Sequence, residues 1–247
     1  MVPGLRNSLM TPAGHAAFIG GGQHGRALRP FMETFRMKRF FDTLREQRWD
    51  DHRFYHQSRI NQSLHFISAI SFLVAYVLLF IDPATAALIG WLFSMTTRQI
   101  GHFFFEPRGF DDVNNVTDEY KEAVKVGYNI HRKVVLIAVC VGLPLMLWLQ
   151  PSLFGLITPA TNWQGTLHDI GIAWLALGVA GLLFRVAQLW LRDGAVPALA
   201  WMTKILTDPV HDIILYHKAP LALLRGELID PMTHVRHQVR SKVQPSR

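Results

Sequence analysis

The chain has 247 residues, of which half are hydrophobic and only 17% charged, with a net charge of +7. Soluble domains average about 25% charged residues, and a mean hydropathy of +0.17 makes an ordinary soluble enzyme a poor fit. The single cysteine, Cys140, excludes an intrachain disulfide framework and a multi-thiolate zinc site; it reads as a small core residue.

Residues 1–30 are rich in Gly, Ala and Pro, contain no acid, and read as a flexible tail. Gly20, Gly22 and Gly25 fit G-x-G-x-x-G, but no strand precedes them and no helix with a later acidic partner follows, so the match is attributed to chance. Residues 31–63 alternate aromatic and basic side chains at helical spacing, the pattern of a helix lying on a membrane surface. Four apolar runs follow, at 64–82, 84–105, 134–150 and 168–191. Each approaches the roughly 20 residues needed to cross a bilayer core. Between runs two and three, Thr117 opens a short helix that ends near Gly127. After run four, Pro209 and Pro220 divide an amphipathic stretch into two short helices. Residues 232–247 are polar and expected to be disordered. The expectation is an all-α integral membrane bundle of four transmembrane helices with interfacial amphipathic helices, forming one membrane domain over 31–231.

Ten of the 25 Lys and Arg precede Leu64, five lie in 106–133 and eight in 192–247. The connection 151–167 carries no charge, and runs one and two meet at Asp82-Pro83. The positive-inside rule then puts both termini and the 106–133 loop in the cytoplasm. The excess charge reads as topology and attraction to anionic membrane lipids. No basic-aromatic motif points to nucleic acid. A homo-oligomer is compatible with the sequence.

The chemistry lies in the histidines. His65 is 17 residues before Asp82 and His102 is 19 after Pro83, heights of about 26 and about 29 Å above the hairpin turn. His131, 19 residues before Gln150, reaches the same level. Three helices therefore bring an imidazole to one depth, near the cytoplasmic face. His56 lies just upstream, nine residues from His65. On an unbroken helix the two would point to opposite sides, so they converge only if the chain bends between them. Arg98 sits one turn deeper than His102, where a charge usually faces a protein interior. Arg185 reads as a snorkelling anchor, His211 and His217 as reserve ligands, and His234 as part of the loose tail.

Two segments, HQSRINQSLH at 56–65 and RQIGHFFFEP at 98–107, resemble the Mpo1-like membrane protein family over about a quarter of the chain. The resemblance implies an iron(II)-dependent dioxygenase that shortens 2-hydroxy fatty acids by one carbon, with Fe(2+) as cofactor and O2 and a fatty acid or related lipid as substrates. It places His56, His65 and His102 in the metal site. His131 is added as a fourth ligand from its depth. Glu106 is either a ligand or the acceptor that fixes an imidazole N–H. Arg98, Arg59 and Asn61 are candidates for holding the substrate. The alternatives are a di-iron lipid hydroxylase or desaturase, of whose His clusters only the H-x3-H of His52 and His56 is present, with no adjacent His pair, and a non-enzymatic four-span scaffold or transporter.

Overall fold

The computed structural model describes the backbone of residues 24–124 and 130–243, and the side chains of 37–124, 134–135 and 137–238. Two units are distinguished, Met1–Lys38 and Arg39–Arg247, and the site lies wholly in the second. The described residues form helices and no strand, apart from two isolated bridges. The all-α expectation holds.

Helix α1 (His24–Tyr55) is followed by α2 (Arg59–Leu78). Between them the chain breaks for three residues, His56 to Ser58, and Ser58 caps α2 by accepting from the Asn61 amide. This is the bend that the His56/His65 spacing requires. At the other end of α2, Asp82 accepts from the Ala84 and Thr85 amides and Pro83 fills the first helical position, so the chain reverses at once into α3 (Pro83–Ile89). Gly90–Met95 then winds as a π-helix and leads into α4 (Thr96–Phe104). Ile89 and Thr96 keep right-handed helical dihedrals, so one rod runs from Pro83 to Phe104. The hydroxyls of Ser94 and Thr96 bond the carbonyls of Ile89 and Trp91, five residues back, and Ser68 on α2 bonds the Ser94 carbonyl. The wide turns advance α4 by about one residue, or about 100°, relative to a continuous α-helix.

Helix α5 (Asp118–Val124) starts where Thr117 accepts from the Tyr120 amide; its expected end near Gly127 lies outside the described residues. Then come α6 (Ile130–Leu149), α7 (Trp163–Asp193), α8 (Ala195–Tyr216), α9 (Ala219–Leu224) and α10 (Thr233–Val243). Helix α3 packs on α7, α2 on α4 and α8, α7 on α8, and α6 on α7. At the α3–α7 crossing a Cβ on Gly171 would stand 2.5 Å from the Ala84 carbonyl oxygen. Only glycine admits that approach. Helices α2 and α7 are long and apolar enough to cross a membrane, and Ile137–Leu149 is a shorter apolar stretch. Exposed Val141, Trp148 and Leu149 on α6, and Leu183, Phe184 and Leu191 on α7, leave broad apolar surface.

Four expectations are corrected. Pro209 does not divide the stretch after run four: α8 runs through it, held on either side by ion pairs of Lys204, Asp208 and Asp212. Thr233–Val243, within the segment expected to be disordered, forms α10, with Met232 and Val235 fully buried against Val113 and Trp49. Helix α1 begins at His24, within the expected flexible tail; residues 1–23 lie outside the described residues. Arg185 does not snorkel. It is 1% exposed and donates to Gln188, at an end of α7 that α8 covers.

Candidate metal centre

His56, His65 and His102 come together from the α1–α2 break, α2 and α4, with one ligand nitrogen from each lying within 4.8 Å of the others. His56 and His65 are fully buried, and the side chain of His102 is 11% exposed. Ring centroids are 4.2 Å apart for His56–His65, 5.3 Å for His56–His102 and 4.8 Å for His65–His102.

The hydrogen bonds fix which nitrogens face inward. His56 Nδ1 donates to the Asp51 carbonyl at 2.8 Å, and His102 Nδ1 donates to Glu106 at 2.9 Å. Each therefore keeps its lone pair on Nε2. His65 Nδ1 lies 3.5 Å from an Asp212 carboxylate oxygen that Arg98 holds at 2.7 Å. His65 Nδ1 makes no hydrogen bond, and His65 Nε2 stands 3.2 Å from His56 Nε2. In the metal-free protein His65 Nε2–H can donate to the His56 lone pair at that distance; with the His65 proton on Nδ1, toward Asp212, both Nε2 lone pairs are free to face one cation. Two imidazoles binding one metal at about 2.1 Å each span a similar distance when they are adjacent ligands. Metal-binding histidines characteristically donate their second N–H to a carboxylate or carbonyl, and these three do so or point toward one. The three residues could hold a metal ion.

Burial, with the neighbouring His65, pushes the His56 imidazole down to about 3, against the opposing influence of Asp51 and Asp212. The ring is therefore neutral and ready to coordinate at neutral pH. Burial works to raise the Asp51 carboxyl, but Lys204, with the surrounding histidines and Arg98, outweighs it and holds that group well below the usual range.

The other expected residues sort as follows. Glu106 is the acceptor for His102. Asn61, 0% exposed, donates to the Tyr55 carbonyl across the helix break, and its carboxamide oxygen lies against Gly101. Arg98 pairs with Asp212 and Arg59 with Asp230, so each cation meets a protein carboxylate. The side chain of His131, in the first turn of α6, lies outside the described residues. His217 is exposed and donates to the Ile214 carbonyl, and half-buried His211 is not in the cluster. His234, taken for a tail residue, bonds His52.

Helix α8 supplies what the histidine spacing did not reveal. Lys204, Asp208, Asp212 and Tyr216 recur every four residues and are all buried. Lys204 bridges Asp208 and Asp51, Asp212 faces His65, and the Tyr216 ring lies over His56 at 5.5 Å. A polar stripe at helical spacing on an otherwise apolar segment was the available signal.

A cavity of about 450 Å³ opens beside His102. His102, Gln99, Arg98, Lys204 and Asp208 line its polar end, and Met95, Trp91, Ala87, Ala86 and Leu79 continue it between α2, α3 and α7. No protein-family model, curated protein or solved structure matches this chain.

Proposed function

We propose that the chain is a four-span membrane enzyme, a non-haem iron(II) dioxygenase acting on 2-hydroxy fatty acids or related lipids, with its metal near the cytoplasmic face. The observation that carries this reading is the convergence of three mostly buried imidazoles, with one nitrogen of each within 4.8 Å of the others, while the Nδ1 of His56 and His102 are occupied by the Asp51 carbonyl and Glu106. The two motifs that resemble the Mpo1-like family supply these same three residues. The apolar runs 84–105 and 134–150 coincide with the Pro83–Phe104 rod and α6, which supports four spans beyond the two helices that meet length and hydropathy alone. One three-residue cluster among the described residues favours a single metal over a di-iron centre.

A ferrous ion held by His56, His65 and His102 would supply the redox chemistry that activates O2 toward the substrate. The chain's own residues do the rest. Glu106 and the Asp51 carbonyl hold the protons that keep two imidazoles in the metal-binding tautomer. Asp51, Asp208 and Asp212 are balanced by Lys204, Arg98 and Arg48. Adding Glu106 and a divalent cation leaves one positive charge, which suits a monoanionic carboxylate. The apolar reach of the cavity, lined by Leu79, Ala86, Ala87, Trp91 and Met95, suits an acyl chain. From His102 back to Ala86 is 16 residues, about 24 Å along a helix. An extended chain advances about 1.25 Å per methylene from ordinary C–C geometry, so about 19 carbons would span that length. The reaction balances without an external reductant. R-CH(OH)-COOH and O2 give R-COOH, CO2 and water, with the four electrons for O2 drawn from the two terminal carbons.

Detergent-purified protein is expected to contain one iron per chain and to consume O2 with 2-hydroxypalmitate, releasing the acid one carbon shorter. His65→Ala and His102→Ala should each lose the iron while still being expressed. Normal iron content in both variants ends the metal reading. Two irons per chain would instead favour the hydroxylase class, and none the scaffold or transporter.

A further inference from the structure

The segment between α9 and α10 runs antiparallel to the α1–α2 break that aims His56. The Asp230 amide donates to the Gln57 carbonyl at 2.8 Å, the Arg59 amide donates to the Leu228 carbonyl at 2.9 Å, and Ser58 and Ile229 form the bridge between them. One side chain of this segment reaches into the break. Asp230 Oδ2 accepts from Gln62 Nε2 at 2.9 Å and pairs with Arg59 Nη1 at 2.9 Å, while Oδ1 accepts from the Met232 amide. Gln62 Nε2 also donates to the His56 carbonyl at 2.7 Å, and Gln62 Oε1 accepts from Arg59.

Gln62 is 1% exposed, and these bonds use both of its N–H groups and engage its oxygen. The main chain of His56 is thereby gripped from two sides. Its N–H closes the last turn of α1 on His52, and its C=O is held by a carboxamide that Asp230 orients. The far end of the segment is anchored by fully buried Met232 and Val235. Removing the Asp230 carboxylate would leave one donor of Gln62 without its acceptor and the Arg59 guanidinium, whose Nε already has no hydrogen bond, without its close carboxylate, held only by Gln62 Oε1 and by Glu227 at 3.9 Å. Groups in that state rearrange, and the nearest freedom is rotation of Gln62 away from His56.

We infer that Asp230 is a positioning residue of the metal centre, and that Leu228–Met232 is a strap holding the His56 imidazole on the ion through Gln62. This rests on the three-histidine reading above. Nothing in the motifs at 56–65 and 98–107 implies it, since the strap comes from the far end of the chain.

The test is Co(II) titration of detergent-purified apo-protein, following both affinity and the visible d–d spectrum, which reports coordination geometry. Asp230→Ala should weaken Co(II) binding at least tenfold, the effect usual for residues that orient metal ligands, and should alter the d–d band. Asp230→Asn, isosteric and able to accept from Gln62 but lacking the charge that Arg59 pairs with, should fall between and keeps the test open if the alanine variant does not fold. Asp230→Glu should restore most of the affinity. Glu227→Ala, on the same segment but only 3.9 Å from Arg59 and half exposed, should leave binding unchanged. Co(II) affinity and spectrum within twofold of wild type in both Asp230→Ala and Asp230→Asn would overturn the strap and leave the metal centre standing. A wild-type protein that binds no Co(II) would overturn the metal centre and the strap with it.

Discussion

At the scale of single residues, the neutral state of the buried imidazoles has a measurable consequence. His52 lies one turn before His56, bonding Tyr216 through Nδ1 and His234 through Nε2. Burial, reinforced by the neighbouring His234, lowers it to about 4. In the unfolded chain the same ring titrates near its ordinary 6.5. Between those values the unfolded state binds a proton that the folded state refuses. The stabilisation is therefore complete above about pH 6.5 and is lost as the pH falls toward 4, amounting to about 3 kcal/mol at full extent. Thermal melts of the apo-protein in detergent should fall steadily from pH 7 to pH 4.5. His52→Gln, which carries no titratable ring, should make that slope shallower, with His56 contributing the remainder. An equal slope in wild type and variant would assign the acid sensitivity to other groups.

At the scale of elements, two close approaches bring the histidines together, and they were unequally visible in the sequence. The depth of His65 and His102 followed from counting residues on either side of Asp82-Pro83, because helical rise is fixed and the turn is tight. The need for a break between His56 and His65 followed from helical phase. What did not follow was the π-helix at Gly90–Met95. Nothing in GWLFSM marks a wide turn, yet the turn decides which face of α4 meets α2. Helix α8 escaped for a different reason. Pro209 read as a terminator, which hid the four-residue period of Lys204, Asp208, Asp212 and Tyr216, and tertiary ion pairs override that local rule. Gly101 tests the α2–α4 contact. A Cβ there would overlap the carboxamide oxygen of Asn61. In a free helix Gly→Ala is worth about 1 kcal/mol of stabilisation; here Gly101→Ala should lower the melting temperature and weaken metal binding, by pushing α4 and His102 outward. Asn61→Ala removes the obstacle, so the double variant should be better than the sum of the two single changes. Strict additivity in a double-mutant cycle would show that the helices are not held at this distance by that contact.

At the scale of the whole molecule, α3 and α7 run parallel in matched register: Gly171 meets Ala84, and a Cβ at Gly178 would come 3.9 Å from the Trp91 ring. That offset places Gly181 level with Ser94, eight residues before His102, or about 12 Å from the histidines along the cavity. Gly181 lines the cavity, and a Cβ built there meets nothing within 4 Å. A large side chain at this position enters open space rather than packed atoms, and phenylalanine is a somewhat better helix former than a mid-helix glycine. Gly181→Phe is therefore expected to fold, to keep its metal, and to block the cavity about halfway along. If the acyl chain occupies this space, the variant should bind saturated 2-hydroxy acids of about 8–10 carbons as well as wild type and lose those of about 16 by tenfold or more, since each excluded methylene forfeits about 0.8 kcal/mol of burial. Displacement of a fluorescent fatty acid measures this without any turnover. Unchanged affinity for the long chain in a folded, metal-loaded Gly181→Phe protein would place the acyl tail outside the cavity, among the lipids that the exposed faces of α6 and α7 are suited to meet.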